Sequence, residues 1–228
     1  MSTKTANVLA CMQAVEKCLG DRFVLIGGAA MQLFDSTRTT NDVDILVSAK
    51  ENVSSLVSLL ADQHGFSNTG GELRFGDGET VTVDILTTAV ETVTLENLGH
   101  NLLSVGRIRI PNLDYALAMK IKCFYLRQDD ENGQEKRRGD AFDVEFLCRR
   151  MVLDAQTISD QCAEKFKFGF YHILELRQEL SDQAVSDFIS IGGRKLILPW
   201  EQNTPEQREY FEYFADSGVD PLSVKLEQ

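Results

Sequence analysis

Apolar positions along the chain follow two regimes. From the N-terminus, Val8, Met12, Val15 and Leu19 recur at intervals of four, three and four, which predicts an amphipathic helix ending at Gly20-Asp21. An apolar run from Phe23 to Ile26 then meets Gly27-Gly28 and a short helix of small residues. A second strand follows, in which Val43, Ile45 and Val47 alternate with Asp42 and Asp44. Successive strand side chains point to opposite faces, so the two aspartates share one face and the apolar residues take the other. Val53, Leu56, Val57 and Leu60 predict a helix that stops near His64-Gly65. Asn68 to Gly71 reads as a Gly-rich turn, and Leu73 to Phe75 is expected to pair antiparallel with Val81 to Leu86 across Gly76-Asp77-Gly78. A short strand from Arg107 to Ile110 closes this regime.

Beyond Pro111 the period becomes helical. Leu113, Leu117, Ile121 and Phe124 form one stripe of a helix over Asn112 to Arg127, with Lys120 on the stripe and Arg127 on much the same face. The polar run from Gln128 to Arg138 reads as a loop, after which a helix carries Asp140, Asp143 and Leu147 on one side. Ile158, Cys162 and Phe166 continue an apolar stripe, and Phe168, Phe170, Tyr171, Ile173 and Leu174 read as core. Gly192-Gly193 breaks the chain, Leu196 to Trp200 reads as extended, and Thr204-Pro205-Glu206-Gln207 opens a last helix bearing Tyr210, Phe211, Tyr213 and Phe214. The expected architecture is α/β (α+β): residues 1–111 form a mixed sheet flanked by helices, and residues 112–228 a helical domain packed against it.

The aspartate strand carries the candidate chemistry. Asp42 and Asp44 repel one another unless a cation lies between them, and a neighbouring Val81–Leu86 strand would add Asp84 to the same cation. Clustered carboxylate oxygens suit a hard ion, Mg2+ or Mn2+, which keeps several waters and takes its remaining ligands from substrate phosphates. The Gly27-Gly28 pair supplies the complementary half, since backbone without Cβ atoms can approach a phosphate and the N–H groups at a helix start favour an anion.

Gly-Gly followed by Arg-x-Thr-x-Asp-x-Asp and one later strand acid resembles the nucleotidyltransferase superfamily of the DNA polymerase β type, nearest to the abortive-infection and toxin–antitoxin nucleotidyltransferases. The matching residues are Gly27, Gly28, Arg38, Thr40, Asp42, Asp44 and Asp84. The resemblance implies metal ligation and catalysis by Asp42, Asp44 and Asp84, with Gly27, Gly28, Arg38 and Thr40 on the nucleotide. Arg38 has two readings, orienting a phosphate or bracing the aspartate strand. Lys120 and Arg127, followed by Asp140 and Asp143, also resemble the helical part of the family, which implies Lys120 and Arg127 on the nucleotide phosphates and Asp140 and Asp143 supporting the site. For Lys120 one reading has the ammonium running out along the apolar stripe to water, and the other has it reaching a nucleotide phosphate. Asp140 and Asp143 can equally be read as helix-start acids with structural salt bridges. Two departures stand out: Asp35 replaces a frequent glycine, and Gly139 replaces the lysine usual before the first aspartate of the pair, leaving Lys136 or Arg138 to take its role.

Composition narrows the partners. With 23 Lys and Arg against 35 Asp and Glu the net charge is −12, which argues against extended nucleic-acid binding, because phosphate contacts need cations. Five cysteines with no CxxC pair read as free thiols, the N-terminus has no signal-peptide core, and no run approaches a membrane span, so a cytoplasmic protein is expected. The leading expectation is transfer of a nucleoside monophosphate from a nucleoside triphosphate to a hydroxyl acceptor, a protein, an RNA end or a small molecule, with release of pyrophosphate. A catalytically idle nucleotide-binding or protein-interaction module, with the C-terminal helices as partner surface, is the alternative. A metal-dependent phosphohydrolase is a third reading, disfavoured because no histidine accompanies the acids.

Overall fold

The computed structural model describes residues 3–90 and 92–199, with Gln202, Thr204, Pro205 and Leu222. The chain divides into two compact units, Met1–Asn112 and Leu113–Gln228.

In the first unit, α1 (Thr3–Leu19) buries the predicted stripe, with Val8, Met12, Val15 and Leu19 all sequestered from solvent. There follow β1 (Phe23–Ile26), α2 (Gly27–Leu33), β2 (Asp42–Val47), α3 (Val53–Ala61), β3 (Phe66–Thr69), β4 (Glu72–Phe75), β5 (Val81–Leu86), the short α4 (Leu95–Leu98), and β6 (Leu102–Val105) with β7 (Ile108–Pro111). Five strands make one mixed sheet in the order β1-β2-β5-β4-β3, and β6 and β7 form a separate hairpin. The expected β4–β5 hairpin is present, with Arg74 opposite Thr82 and Phe75 opposite Val81. On its other side β5 runs parallel to β2, a pairing that requires a crossover rather than a turn. Val43, Ile45 and Val47 are fully buried, as the alternation predicts, and Leu46 is buried too, so both faces are covered at that end of β2.

Two segments of this unit differ from expectation. Asn68 and Thr69 belong to β3 rather than to a turn, which is confined to Gly70-Gly71. The strand β6 has mostly exposed side chains, so no alternation announced it.

The second unit is helical: α5 (Leu113–Leu126), α6 (Glu131–Leu153), α7 (Asp160–Lys165), α8 (Phe170–Glu179), α9 (Asp182–Ser190) and a 3-10 turn at Gly193–Leu196. The run from Gln128 to Arg138, expected as a loop, is helical from Glu131. Asp130 accepts the Gly133 N–H at 2.6 Å as an N-cap, and Glu, Gln, Lys and Arg are good helix formers even where nothing apolar marks a face. Gly133 lies so close to the Gln128 carbonyl that no side chain fits there, which seals the turn between α5 and α6. Leu196 also departs from its expected extended state, because Lys195 and Ile197 donate to the carbonyls three residues back; extension begins at Ile197, bridged to Phe168. Phe168, Phe170, Ile173 and Leu174 are core residues, whereas Tyr171 is exposed. The expectations for Trp200 and for a helix bearing Glu206, Gln207, Tyr210, Phe211, Tyr213 and Phe214 fall outside the described residues.

All five cysteines are free thiols; Cys11, Cys148 and Cys162 are buried, Cys18 and Cys123 half-buried. Burial pushes the Cys11 thiol up to about 12. Among the described residues no helix is long and apolar enough to cross a membrane.

Candidate functional site

Strand register sets the acids together. Asp44 stands level with Asp84 on the adjacent parallel strand, and Asp42 stands level with Thr82. Paired residues of neighbouring strands point to the same side, so Asp42, Asp44 and Asp84 share one face. Asp42 and Asp44 are half-buried and Asp84 is exposed. The Thr40 hydroxyl donates to Oδ1 of Asp42, tying the start of the strand to the segment before it.

The glycine pair makes room for these side chains. Gly27 opens α2 with φ +69°, and a Cβ there would fall within the Asp44 carboxylate. At Gly28 a Cβ would lie 2.7 Å from Thr40 Oγ1 and 2.9 Å from Arg38 Nη2. The expected bare-backbone cradle is therefore lined by the chain's own groups: a carboxylate against Gly27, a guanidinium and a hydroxyl against Gly28. Arg38 follows α2 in the chain, and its guanidinium lies back against Gly28 in the first turn of that helix. Asp35, at the frequent glycine position, adopts φ +71°. Aspartate visits this left-handed region more readily than bulkier residues, so the turn before Arg38 keeps a glycine-like conformation without glycine.

The donor set, carboxylates alone, is that of a hard cation rather than zinc. Among the described residues no three His, Cys, Asp or Glu side chains converge as a ready metal cage. The side-chain geometry accounts for this: Asp42 is engaged by Thr40, Asp44 is turned to Gly27, and Asp84 projects into solvent.

In the second unit a buried ionic network links α5 and α6. Lys120 Nζ lies 3.1 Å from Asp140 Oδ1 and 2.8 Å from Asp143 Oδ2, and Arg127 Nε lies 2.8 Å from Asp140 Oδ2. Lys120 does not run out to water, since its side chain is 8% exposed. Burial by itself would pull its pKa down, but Asp143 and then Asp140 more than offset it and hold the ammonium above its ordinary value. Asp140 and Asp143, 2% and 0% exposed, act as anchors for two cations rather than as surface helix-start acids.

One residue escaped the sequence reading. Arg137 places its guanidinium carbon 5.6 Å from the centre of the Phe124 ring. It is half-buried, whereas Lys136 and Arg138 are exposed. The available signal was its position three residues before Asp140, hence on the same helix face, but it lay in a stretch read as loop.

The family described as nucleotidyl transferase AbiEii toxin, type IV toxin–antitoxin system, matches residues 10–190. No curated protein matches the chain. Among solved structures, a candidate nucleotidyltransferase from H. pylori aligns with TM-score 0.50 at 17% identity, covering 95% of this chain and 97% of that one, which shows the fold alone. JHP933 from Helicobacter pylori aligns at 19% identity with TM-score 0.46 over 95% and 97% of the two chains. An antigenic nucleotidyltransferase-like protein from Paracoccidioides brasiliensis aligns at 16% identity with TM-score 0.48 over 84% and 88%.

Proposed function

The chain belongs to the AbiEii nucleotidyltransferase toxin family, and from that premise we propose that it transfers a nucleoside monophosphate from a nucleoside triphosphate to a hydroxyl acceptor, releasing pyrophosphate. The observation that carries this reading is the placement of Asp44 level with Asp84 on parallel strands, with Asp42 on the same face and Arg38 and Thr40 packed against Gly28 beside it. Asp42, Asp44 and Asp84 would hold Mg2+ or Mn2+, which when bound neutralises phosphate charge and lowers the pKa of a coordinated hydroxyl. Asp84, the exposed member, faces the solvent from which an acceptor arrives and is the group placed to take its proton. Thr40 fixes the Asp42 carboxylate, and Arg38 presents a guanidinium suited to phosphate oxygens. Lys120, Asp140 and Asp143 lock α5 to α6 and so hold Arg127 in place.

The departures from the family pattern at Asp35 and Gly139 motivate a second reading, a nucleotide-binding module without turnover. The two are separated by one experiment. Each of the four nucleoside triphosphates is titrated calorimetrically with and without Mg2+ into the protein and its Asp42→Ala variant, and pyrophosphate release is then followed across protein, RNA and small hydroxylated acceptors. Magnesium-dependent binding lost in the variant, together with pyrophosphate release, is the expected outcome. Binding without release on any acceptor supports the idle module, and no binding in the parent protein overturns both. A toxin role and a partner antitoxin, carried by the family description, belong to the same proposal, as does a cytoplasmic location.

A further inference from the structure

Resting on the nucleotide-transfer reading, we infer that a polar recess beside Asp42 is the acceptor subsite and that it takes a small polyhydroxylated molecule of the sugar class. The recess, about 310 Å3 in volume, is walled wholly by the first unit, where β2 and β5 begin. Strand register joins it to the carboxylates. Thr82, in its wall, stands level with Asp42 and two residues before Asp84, so it lies on the face that carries the acids. Arg74 stands opposite Thr82 on β4 and shares that face. Thr40 belongs to both places, as a wall of the recess and as the donor to Asp42.

The walls are tied together before any ligand enters. Glu72 accepts from Thr82 at 3.2 Å and from Arg74 at 2.6 Å, and the Asn7 amide on α1 donates to the Glu79 carbonyl at 2.9 Å. Side chains restrained in this way lose little further freedom on binding. The lining also selects the ligand. The hydroxyls of Thr40, Thr80 and Thr82 and the amides of Asn7 and Asn41 can both donate and accept, which matches a molecule with several hydroxyl groups. Val81 is the one apolar residue of the lining and no aromatic ring belongs to it, so there is neither a stacking platform for a base nor the apolar centre of a protein interface. The lining's one cation, Arg74, is paired with Glu72, and Glu79 adds a carboxylate, a balance that repels the phosphates of an RNA end. In the step served, the acceptor hydroxyl oxygen bonds to the α-phosphorus while Asp84 takes its proton. The bond from that phosphorus to the bridging oxygen breaks, and its electron pair leaves on pyrophosphate.

The test offers the parent its preferred nucleoside triphosphate and Mg2+ with glucose, sucrose and glucosamine, with an RNA oligonucleotide bearing a free 3′-hydroxyl, and with a serine-rich protein. Labelled-nucleotide transfer is measured for each. Thr80→Trp then fills the recess from an exposed position, Asn41→Ala removes one of its amides, and Ser54→Trp on α3 is the control, with thermal melts confirming fold. Transfer to a sugar is expected, with its KM raised about tenfold by Thr80→Trp and less by Asn41→Ala, and unchanged by Ser54→Trp. Calorimetric affinity for the nucleotide should stay the same in all three variants. Transfer to RNA or protein with every sugar inert, no transfer to any acceptor by a parent that binds nucleotide, or a sugar KM untouched by both recess variants overturns the assignment. A parent that binds no nucleotide defeats the functional reading itself.

Discussion

Lys120 offers the sharpest test of how the helical unit is held. Its ammonium is 2.8 Å from Asp143 and 3.1 Å from Asp140 with all three groups nearly inaccessible to water. At an effective dielectric of about 20 each contact is worth roughly 5 kcal/mol of Coulomb energy, most of which is offset by desolvation of the ions. Lys120→Met removes the attraction but leaves the carboxylates buried, so a loss of about 3–5 kcal/mol is expected. Adding Asp143→Leu removes the second charge as well and replaces the pair by apolar volume, leaving Asp140 its bond to Arg127. The double variant should then recover to within about 1–2 kcal/mol of the parent. Urea denaturation followed by far-ultraviolet circular dichroism measures each corner of the cycle. A Lys120→Met cost below about 1 kcal/mol, or a double variant that falls as far as the sum of the singles, would refute the buried-network account. The pH dependence has a definite sign. Because the folded lysine titrates above its ordinary value of 10.5, its contribution is fully present below 10.5 and is lost only as pH rises through the higher folded value. Neutral and mildly alkaline buffers should therefore leave the Lys120→Met difference unchanged.

Further outcomes follow from the first unit. Asp84→Asn should reduce transfer by at least about a thousandfold while leaving thermal stability equal or slightly higher, because it removes a like charge beside Asp44; labelled-nucleotide transfer and a melting curve read the two effects separately. Gly28→Ala should cost about 1–3 kcal/mol in urea unfolding and weaken nucleotide binding, since its Cβ meets Thr40 at 2.7 Å and Arg38 at 2.9 Å. Asp35→Gly should be near neutral, whereas Asp35→Val, with a branched Cβ at φ +71°, should lose about 1–2 kcal/mol in the same assay.

What was legible in the chain was local. The alternation of Asp42 and Asp44 with Val43, Ile45 and Val47 displayed the carboxylate face directly, and the Gly76-Asp77-Gly78 turn announced the β4–β5 hairpin. The parallel partnership of β2 with β5 was not readable in the same way, because a crossover leaves no turn signature between Val47 and Val81. The stripe through Leu117, Ile121 and Phe124 exposed Lys120 as anomalous, yet its partners lie 20 and 23 residues onward in another helix. The start of α6 failed for a different reason. Periodicity needs apolar residues to register, and Glu131 to Arg138 contains none, so only the cap at Asp130 marked a helix there. With that helix went the sight of Arg137, whose facing toward Phe124 exists only once residues 131–140 are wound.

Gly28 and Asp35 show that a glycine position in a motif can have two separable causes. At Gly28 the requirement is a contact: the space a Cβ would take is filled by Thr40 and Arg38. The side chain one residue larger than glycine is excluded there by its neighbours. At residue 35 the requirement is a dihedral angle, φ +71°, with the side chain exposed. A dihedral requirement at the surface tolerates any residue that can reach the left-handed region, and aspartate does so at modest cost. The departure at Asp35 therefore leaves the path of the chain into Arg38, Thr40 and the aspartate strand intact, whereas an equally small change at Gly28 would displace the groups that stand beside the carboxylates.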